Sequence, residues 1–285
     1  MARINLRDIS DDVHQLISQS ALLNHRSIES EARHALDQYA LSLNREQDTK
    51  IETSREIWQK ETGQRLHKLF QQLRDDNFFA YRVRHDIPHI ALHIGENSPA
   101  QLLDCIDGIK GPDFDMINRL AYCFSCNPSW VMSGAGTMFE VKNIGSSYES
   151  FFIDETDDHA DYIFYLIRVA SGRNEGMIIC IKRNQASRVY EAGYISDHFV
   201  LKAGMGSGGY GNLKRFLSFI KLNCGTHFIR SCEYEEEEGL STELGLHHPS
   251  WYIQKSSQSR WISQLISGED PGNWLEGYSS LLSSV

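Results

Sequence analysis

The sequence has no long apolar run. No stretch approaches the roughly eighteen residues that a membrane-spanning helix needs, so no membrane partner is expected. Nor is there an excess of cations: 28 Lys and Arg against 38 Asp and Glu leave a formal net charge of −10. That balance argues against indiscriminate coating of nucleic acid, but not against binding through one locally basic face. Cysteine is scarce, six in 285 residues, and Ile4 and Leu6 are interrupted by charges instead of forming a secretory apolar core. Reduced thiols and a cytoplasmic location are therefore expected. The glycine cluster at 204–209 lacks the G-K-[ST] ending of a nucleotide-binding P-loop. His247, His248 and Cys232 make no defensible nucleophile–base set. The expectation is no catalytic residue, no cofactor and no enzyme, with the C-terminal half open on the last point.

What is present is ordinary for a soluble protein: 41% apolar and 23% charged residues, in a chain long enough for two or three domains. The most informative stretch is the first. Arg3-Ile4-Asn5-Leu6-Arg7 alternates polar and apolar residues, so Ile4 and Leu6 face one side of a strand and Arg3, Asn5 and Arg7 the other. One such strand has no partner for its backbone or its apolar face. A second copy of the chain supplies both, as a two-stranded antiparallel ribbon on a two-fold axis. Such a ribbon fits the major groove, where Arg and Asn can bond base edges.

Two amphipathic helical patterns follow, split by Asn24-His25-Arg26-Ser27. Ser10 is a good N-cap for the first, which carries Val13, Leu16, Ile17 and Ala21 at helical spacing. Ser27 can cap the second, whose stripe is Ile28, Ala32, Ala35, Leu36 and Tyr39. In a dimer these stripes would form one shared core.

The run Ile4-Asn5-Leu6-Arg7-Asp8, the start Ile9-Ser10-Asp11-Asp12-Val13 and the segment Arg26-Ser27-Ile28-Glu29-Ser30-Glu31-Ala32-Arg33 resemble the ribbon-helix-helix (Arc/MetJ-type) fold, and most closely its antitoxin-like, FitA-like branch. The resemblance covers about forty residues. It implies that Arg3, Asn5 and Arg7 read bases and that the backbone near Ser27 and Ile28 holds a phosphate. A helix N-terminus offers the amides and dipole for that contact.

Residues 44–63 are mostly polar and charged and read as a linker, partly helical, or as a solvated extension of the preceding helix. Residues 64–140 read as five helices, at 65–74, 88–94, 98–107, after Asp113, and at 129–133. The segments Ile94-Gly95-Glu96-Asn97-Ser98, Leu102-Leu103-Asp104-Cys105-Ile106-Asp107-Gly108 and Asn118-Arg119-Leu120-Ala121 are similar to the Cro/repressor-type (XRE-like) helix-turn-helix family. So is the tail Asn127-Pro128-Ser129-Trp130-Val131-Met132-Ser133-Gly134-Ala135-Gly136-Thr137-Met138-Phe139, the most specific part. The resemblance implies a recognition helix at 98–106, with Gln101 as the best base reader and Ser98 on a phosphate or base. Arg82, Arg84 and Lys110 could add phosphate contacts. Against this, the helix carries Asp104 and Asp107 and no cation, which disfavours a phosphate surface. A structural or dimerising module is the competing role.

His85, His89 and His93 fall four apart, but Pro88 interrupts a shared helical face and no carboxylate or thiol completes a metal set. The lone Cys123/Cys126 pair reads as core packing. No metal site is expected.

After a boundary near 141–147 the composition changes. Strand-like runs at 162–169, 177–182, 188–195, 198–202 and 226–232, a helix at 212–222 and terminal helices at 261–266 and 274–282 predict a compact α+β domain over 148–285. Gly204-Met205-Gly206-Ser207-Gly208-Gly209 satisfies G-x-G-x-x-G, but a turn or flexible loop is favoured because no acidic partner follows at the dinucleotide spacing.

The fold class expected is thus multidomain: an α-rich N-terminal half, with ribbon-helix-helix at 1–43 and five-helix helix-turn-helix at 64–140, then an α+β domain that senses, oligomerises or binds a partner. The function expected is a sequence-specific transcriptional regulator, a repressor or autoregulator. It would act as a homodimer on a palindromic double-stranded operator, with higher oligomers and a protein or small-molecule partner of the C-terminal domain left open. The alternatives are a C-terminal enzymatic, toxin or defence effector with an autoregulatory DNA-binding half, and an antitoxin that grips a toxin through its C-terminal half.

Overall fold

The computed structural model describes residues 8–47, 52–79, 84–145, 147–153, 162–224, 229–236 and 243–275. Its chain divides into two compact units, Met1–Thr53 and Ser54–Val285.

The first unit is a helical hairpin of α1 (Asp11–Leu23) and α2 (Ile28–Gln47). Asp11 and Asp12 complement the positive end of α1, while Ser10 at the N-cap makes no side-chain capping bond. The turn passes through His25 in the left-handed region, at φ 52°. A polar clasp holds it. The Glu31 carboxylate accepts from Ser20 Oγ and Asn24 Nδ2, both at 2.8 Å, and from Arg26 Nη1 at 3.2 Å. The Ser20 hydroxyl, then Asn24 and Arg26, hold the Glu31 carboxyl below its ordinary range, with burial opposing. The strand expected at residues 3–7 lies outside the described residues.

The second unit starts earlier than the polar sequence suggests. Helix α3 (Ser54–Asp75) begins within the stretch read as a linker. Gly63, where the stretch read as a linker ends, sits inside it because α3 and the later helix Pro99–Ile106 nearly touch. A Cβ there would lie 2.6 Å from the Ile106 carbonyl oxygen. Four short helices follow: α4 (Ile87–His93), α5 (Pro99–Ile106), α6 (Phe114–Phe124) and α7 (Pro128–Ser133). Each has the cap its sequence announces. The Asp86, Ser98, Asp113 and Asn127 side chains accept from the amides of His89, Ala100, Met116 and Ser129. Gly134 closes α7 in the left-handed conformation, at φ 76°. The apolar stripe Leu66, Leu69, Phe70 and Leu73 of α3 meets Ile90, Leu102, Leu120, Phe124 and Val131 in one core.

The C-terminal half holds a mixed six-stranded sheet in the order β1-β4-β3-β2-β5-β6. Its strands are β1 (Val141–Asn143), β2 (Tyr162–Val169), β3 (Ile178–Asn184), β4 (Tyr190–Ile195), β5 (Ile229–Tyr234) and β6 (Ser257–Gln258). β2, β3 and β4 form an antiparallel meander, while β5 runs parallel to β2. β2 and β3 read as continuous apolar runs because the sheet is covered on both faces. Phe164, Leu166 and Cys180 pack under α8 (Tyr148–Phe152), α9 (Ser207–Phe219) and α11 (Trp261–Ile266). Tyr165, Ile167, Ile179 and Ile181 face α10 (Pro249–Lys255) with Trp251 and Tyr252.

Several expectations are revised. Residues 198–202, read as a strand, are irregular and lead into α9. That helix begins at Ser207 and ends in a π turn, Ile220–Cys224. The helix expected at 274–282 lies almost wholly outside the described residues; Trp274 and Leu275 sit in a turn. Helix α10 was not foreseen. Within the stretch 141–147, β1 pairs parallel with β4, and the five helices pack against the sheet half. The joint is polar and buried. Asp76, 1% exposed, accepts from His247 Nδ1 and the His248 amide, both at 2.6 Å, and from Gln72 Nε2 at 2.9 Å. Ser125 Oγ accepts from the Tyr190 amide at 2.9 Å, and the Gly245 carbonyl from the Phe139 amide at 3.0 Å.

Candidate nucleic-acid interface

The helical hairpin of the first unit buries little by itself. Ala21 is closed at 2% exposure, but Leu16 is 65% exposed, Tyr39 62%, Val13 and Ile28 45%, and Leu36 41%. These are the stripes that the sequence assigns to a core. Five large apolar side chains left open in one chain are a surface built for burial elsewhere. Ser27 Oγ accepts from the Ser30 amide at 3.2 Å, so Ser27 caps α2. Ile28 opens that helix, where the first amides lack intrahelical partners and the dipole is positive. Glu29 and Glu31 sit in the same turn and weaken its appeal to a phosphate. The base-reading candidates Arg3, Asn5 and Arg7 lie outside the described residues. The sequence reading gave no role to Asn24, Arg26 and Glu31, which fix the angle between the two helices. Their signal was the polar cluster at the break.

In the second unit α5 presents Gln101 and Ala100 to solvent, with Leu103 38% exposed beside them. Ser98 is occupied as the α5 cap. Lys110 Nζ lies 2.8 Å from Asp104, and that carboxylate raises the lysine pKa. The cation nearest the helix is therefore already neutralised. Glu96 is paired with Arg119. Arg84 is exposed and has no carboxylate partner among the described residues, and Arg82 lies outside them. Ile109 and Phe114, 62% and 75% exposed, add apolar surface after α5. The structure thus brings Ser98, Gln101 and Lys110 to one helix and its exit, but as a face with little free positive charge.

The other motifs resolve simply. His89 Nδ1 is 2.7 Å from Asp86, on a turn of its own. Among the described residues no group of three His, Cys, Asp or Glu side chains is placed to hold a metal ion. Cys126 packs in the helical core, where burial pushes its thiol up to about 12. The glycine cluster forms the entry to α9, with Gly206 as N-cap. Its flanking strands β4 and β5 are not neighbours, so the crossover is not the dinucleotide-binding one. No helix among the described residues is long and apolar enough to cross a membrane.

No curated protein matches the chain, and no solved structure does. Residues 2–40 match the family described as antitoxin FitA-like, ribbon-helix-helix, over the stretch whose helices and open apolar face have just been described.

Proposed function

We propose that the chain is a sequence-specific transcriptional regulator that works as a homodimer. Two N-terminal strands pair into a ribbon, and Arg3, Asn5 and Arg7 from each copy project into the major groove of a palindromic operator. The observation that carries this reading is the exposed stripe of Val13, Leu16, Ile28, Leu36 and Tyr39 in the unit that matches the ribbon-helix-helix antitoxin family. A hairpin of this size has no independent core. A second copy covers the stripe and creates the ribbon in one step, so folding, dimerisation and DNA reading are coupled. The α2 N-termini, at Ser27 and Ile28, flank the ribbon as phosphate contacts.

The five helices α3–α7 carry a helix-turn-helix arrangement whose helix α5 contributes Gln101 as a base contact. With Lys110 held by Asp104, its share of the affinity is small, and its main work is to set the spacing of the sheet half from the operator. Repression follows by occlusion of the promoter. The family description also favours a second reading, an antitoxin that controls its own expression and grips a toxin through the C-terminal half.

The test is selection of bound duplexes from a random pool. The regulator reading expects two half-sites related by a two-fold axis. Arg3→Ala or Arg7→Ala then costs about 1–3 kcal/mol and relaxes preference at one position of each half-site. Recovery of unrelated sequences would refute it. Co-purification of a small toxin with the full chain would select the antitoxin reading.

A further inference from the structure

At the seam between the helices and the sheet lies a cavity of about 620 Å³. Its volume falls in the range of small-molecule sites. The helical side contributes Phe79 and Tyr122; the sheet contributes Tyr165, Tyr190, Arg183 and Arg188. Phe79 and Tyr165 are buried, at 6% and 5% exposure, and form the floor, while Tyr122, 60% exposed, stands at the rim.

The lining is aromatic and cationic. In a chain with a net charge of −10, no carboxylate lines it among the described residues, whereas two guanidinium groups do. Neither Arg183 nor Arg188 has an ion-pair partner among the described residues. Arg183 is held 5.7 Å over the Tyr190 ring, and its Nε is enclosed without a hydrogen-bond acceptor. A buried guanidinium donor without an acceptor is costly. Arg168, the most deeply covered of these guanidinium groups, has by contrast Glu233 and Glu175 beside it. The arm that carries Arg188 is fixed in advance. Asn184 Oδ1 accepts from the amides of Ala186 and Ser187, both at 2.9 Å, and shapes the β3–β4 turn. Arg188 itself sits at φ 60°, a left-handed conformation that aims the turn.

We propose that this cavity is a binding site for a small planar aromatic anion. The ring lies among Phe79, Tyr165 and Tyr190, and its carboxylate or phosphate takes the forked donors of Arg183 and Arg188. The site spans the seam: Tyr190 lies beside Ser125 at the end of α6. A bound ligand therefore clamps the helices to the sheet and favours one docking of the two. This site does not depend on how the chain binds DNA.

Calorimetric titration of the full chain tests it without DNA present. The probes are benzoate, indole-3-carboxylate, phenyl phosphate and adenosine monophosphate, each beside a neutral counterpart: benzamide, indole-3-carboxamide, phenol and adenosine. At least one anion is expected to bind with a Kd below about 1 mM, and its neutral counterpart at least about tenfold more weakly. Whether carboxylates or phosphates bind identifies the anionic group. The double variant Arg183→Gln, Arg188→Gln should lose about tenfold or more, and Tyr122→Ala several-fold. Arg173→Gln, at a different surface cavity, should change nothing. If the double variant fails to fold by circular dichroism, Arg188→Gln alone, at an exposed turn, should still weaken binding several-fold. No binding by any probe, equal binding of the neutral counterparts, or unchanged affinity in the arginine variants overturns the proposal.

Discussion

Leu16→Lys is the sharpest probe of the dimer. Leu16 is 65% exposed within one chain, so the substitution barely disturbs a lone hairpin. In a two-fold dimer the exposed part of each leucine is covered. Full burial of a leucine is worth about 1.5–3 kcal/mol, and roughly two-thirds of that remains to be gained here, about 1–2 kcal/mol per copy. Two copies meet in one symmetric interface, so the loss is about 2–4 kcal/mol, before any cost of desolvating the ammonium groups. That weakens association between roughly thirtyfold and a thousandfold. Sedimentation equilibrium over a concentration series reads it directly. Leu222→Lys, at a still more open leucine in the π turn at 81% exposure, serves as the control and should leave association unchanged. A dimer constant for Leu16→Lys within twofold of the wild type would refute the reasoning, because the stripe would then not be the interface.

Removing the buried acceptor at the seam should be costly: Asp76→Ala strands the His248 amide and the Gln72 amide group, a loss of about 3–5 kcal/mol in urea unfolding, while the neighbouring exposed Asp75→Ala should change stability by less than about 0.5 kcal/mol. Burial lowers the His248 pKa to about 3, so between its unfolded value near 6.5 and that folded value the unfolded chain binds the extra proton. Stability should therefore be full above about pH 6.5 and fall on acidification by about 1.4 kcal/mol per pH unit. His248→Asn, which keeps an N-cap acceptor, should flatten that slope. Glu31 behaves as a depressed carboxylate. Its contribution to the helical hairpin is present above the ordinary Glu pKa and is lost as pH falls through the lower folded value. Glu31→Gln should remove that acid sensitivity, as read by circular dichroism.

The helices of the two units were legible where periodicity and caps coincide. Asp113 before Phe114, Ile117, Leu120 and Phe124 marks α6 within a residue, and Asn127-Pro128 marks α7. The strands β2 and β3 were legible because their apolar runs are rich in Ile, Tyr and Phe and of strand length, and β4 because its two tyrosines and Ile195 continue the strand-like composition. The start of α3 was not, because Ser54 to Gly63 is polar on three sides and its glycine is required by the neighbouring helix, a tertiary fact. Helix α10 was hidden behind two histidines whose roles differ: His247 stacks on Trp251 and His248 caps the helix. The seam and its cavity were also illegible. They join residues such as Tyr122 and Arg183 that are distant in sequence, and no local pattern signals a guanidinium left without a carboxylate. For the proposed nucleic-acid face, the sequence alone offers Arg3, Asn5 and Arg7, while the structure adds an exposed apolar stripe on the helical hairpin.

The central claim is that paired chain starts read DNA. Fluorescence anisotropy at one fixed salt concentration, on a duplex carrying the selected half-sites, measures this for the wild type and for the Arg3/Asn5/Arg7 triple alanine variant. Both copies lose all three base contacts, at about 1–3 kcal/mol for each good pairing, so affinity for the selected duplex should fall by roughly a hundredfold or more. Affinity for a scrambled duplex should fall far less. Equal affinity of the two proteins for the selected duplex would contradict the account.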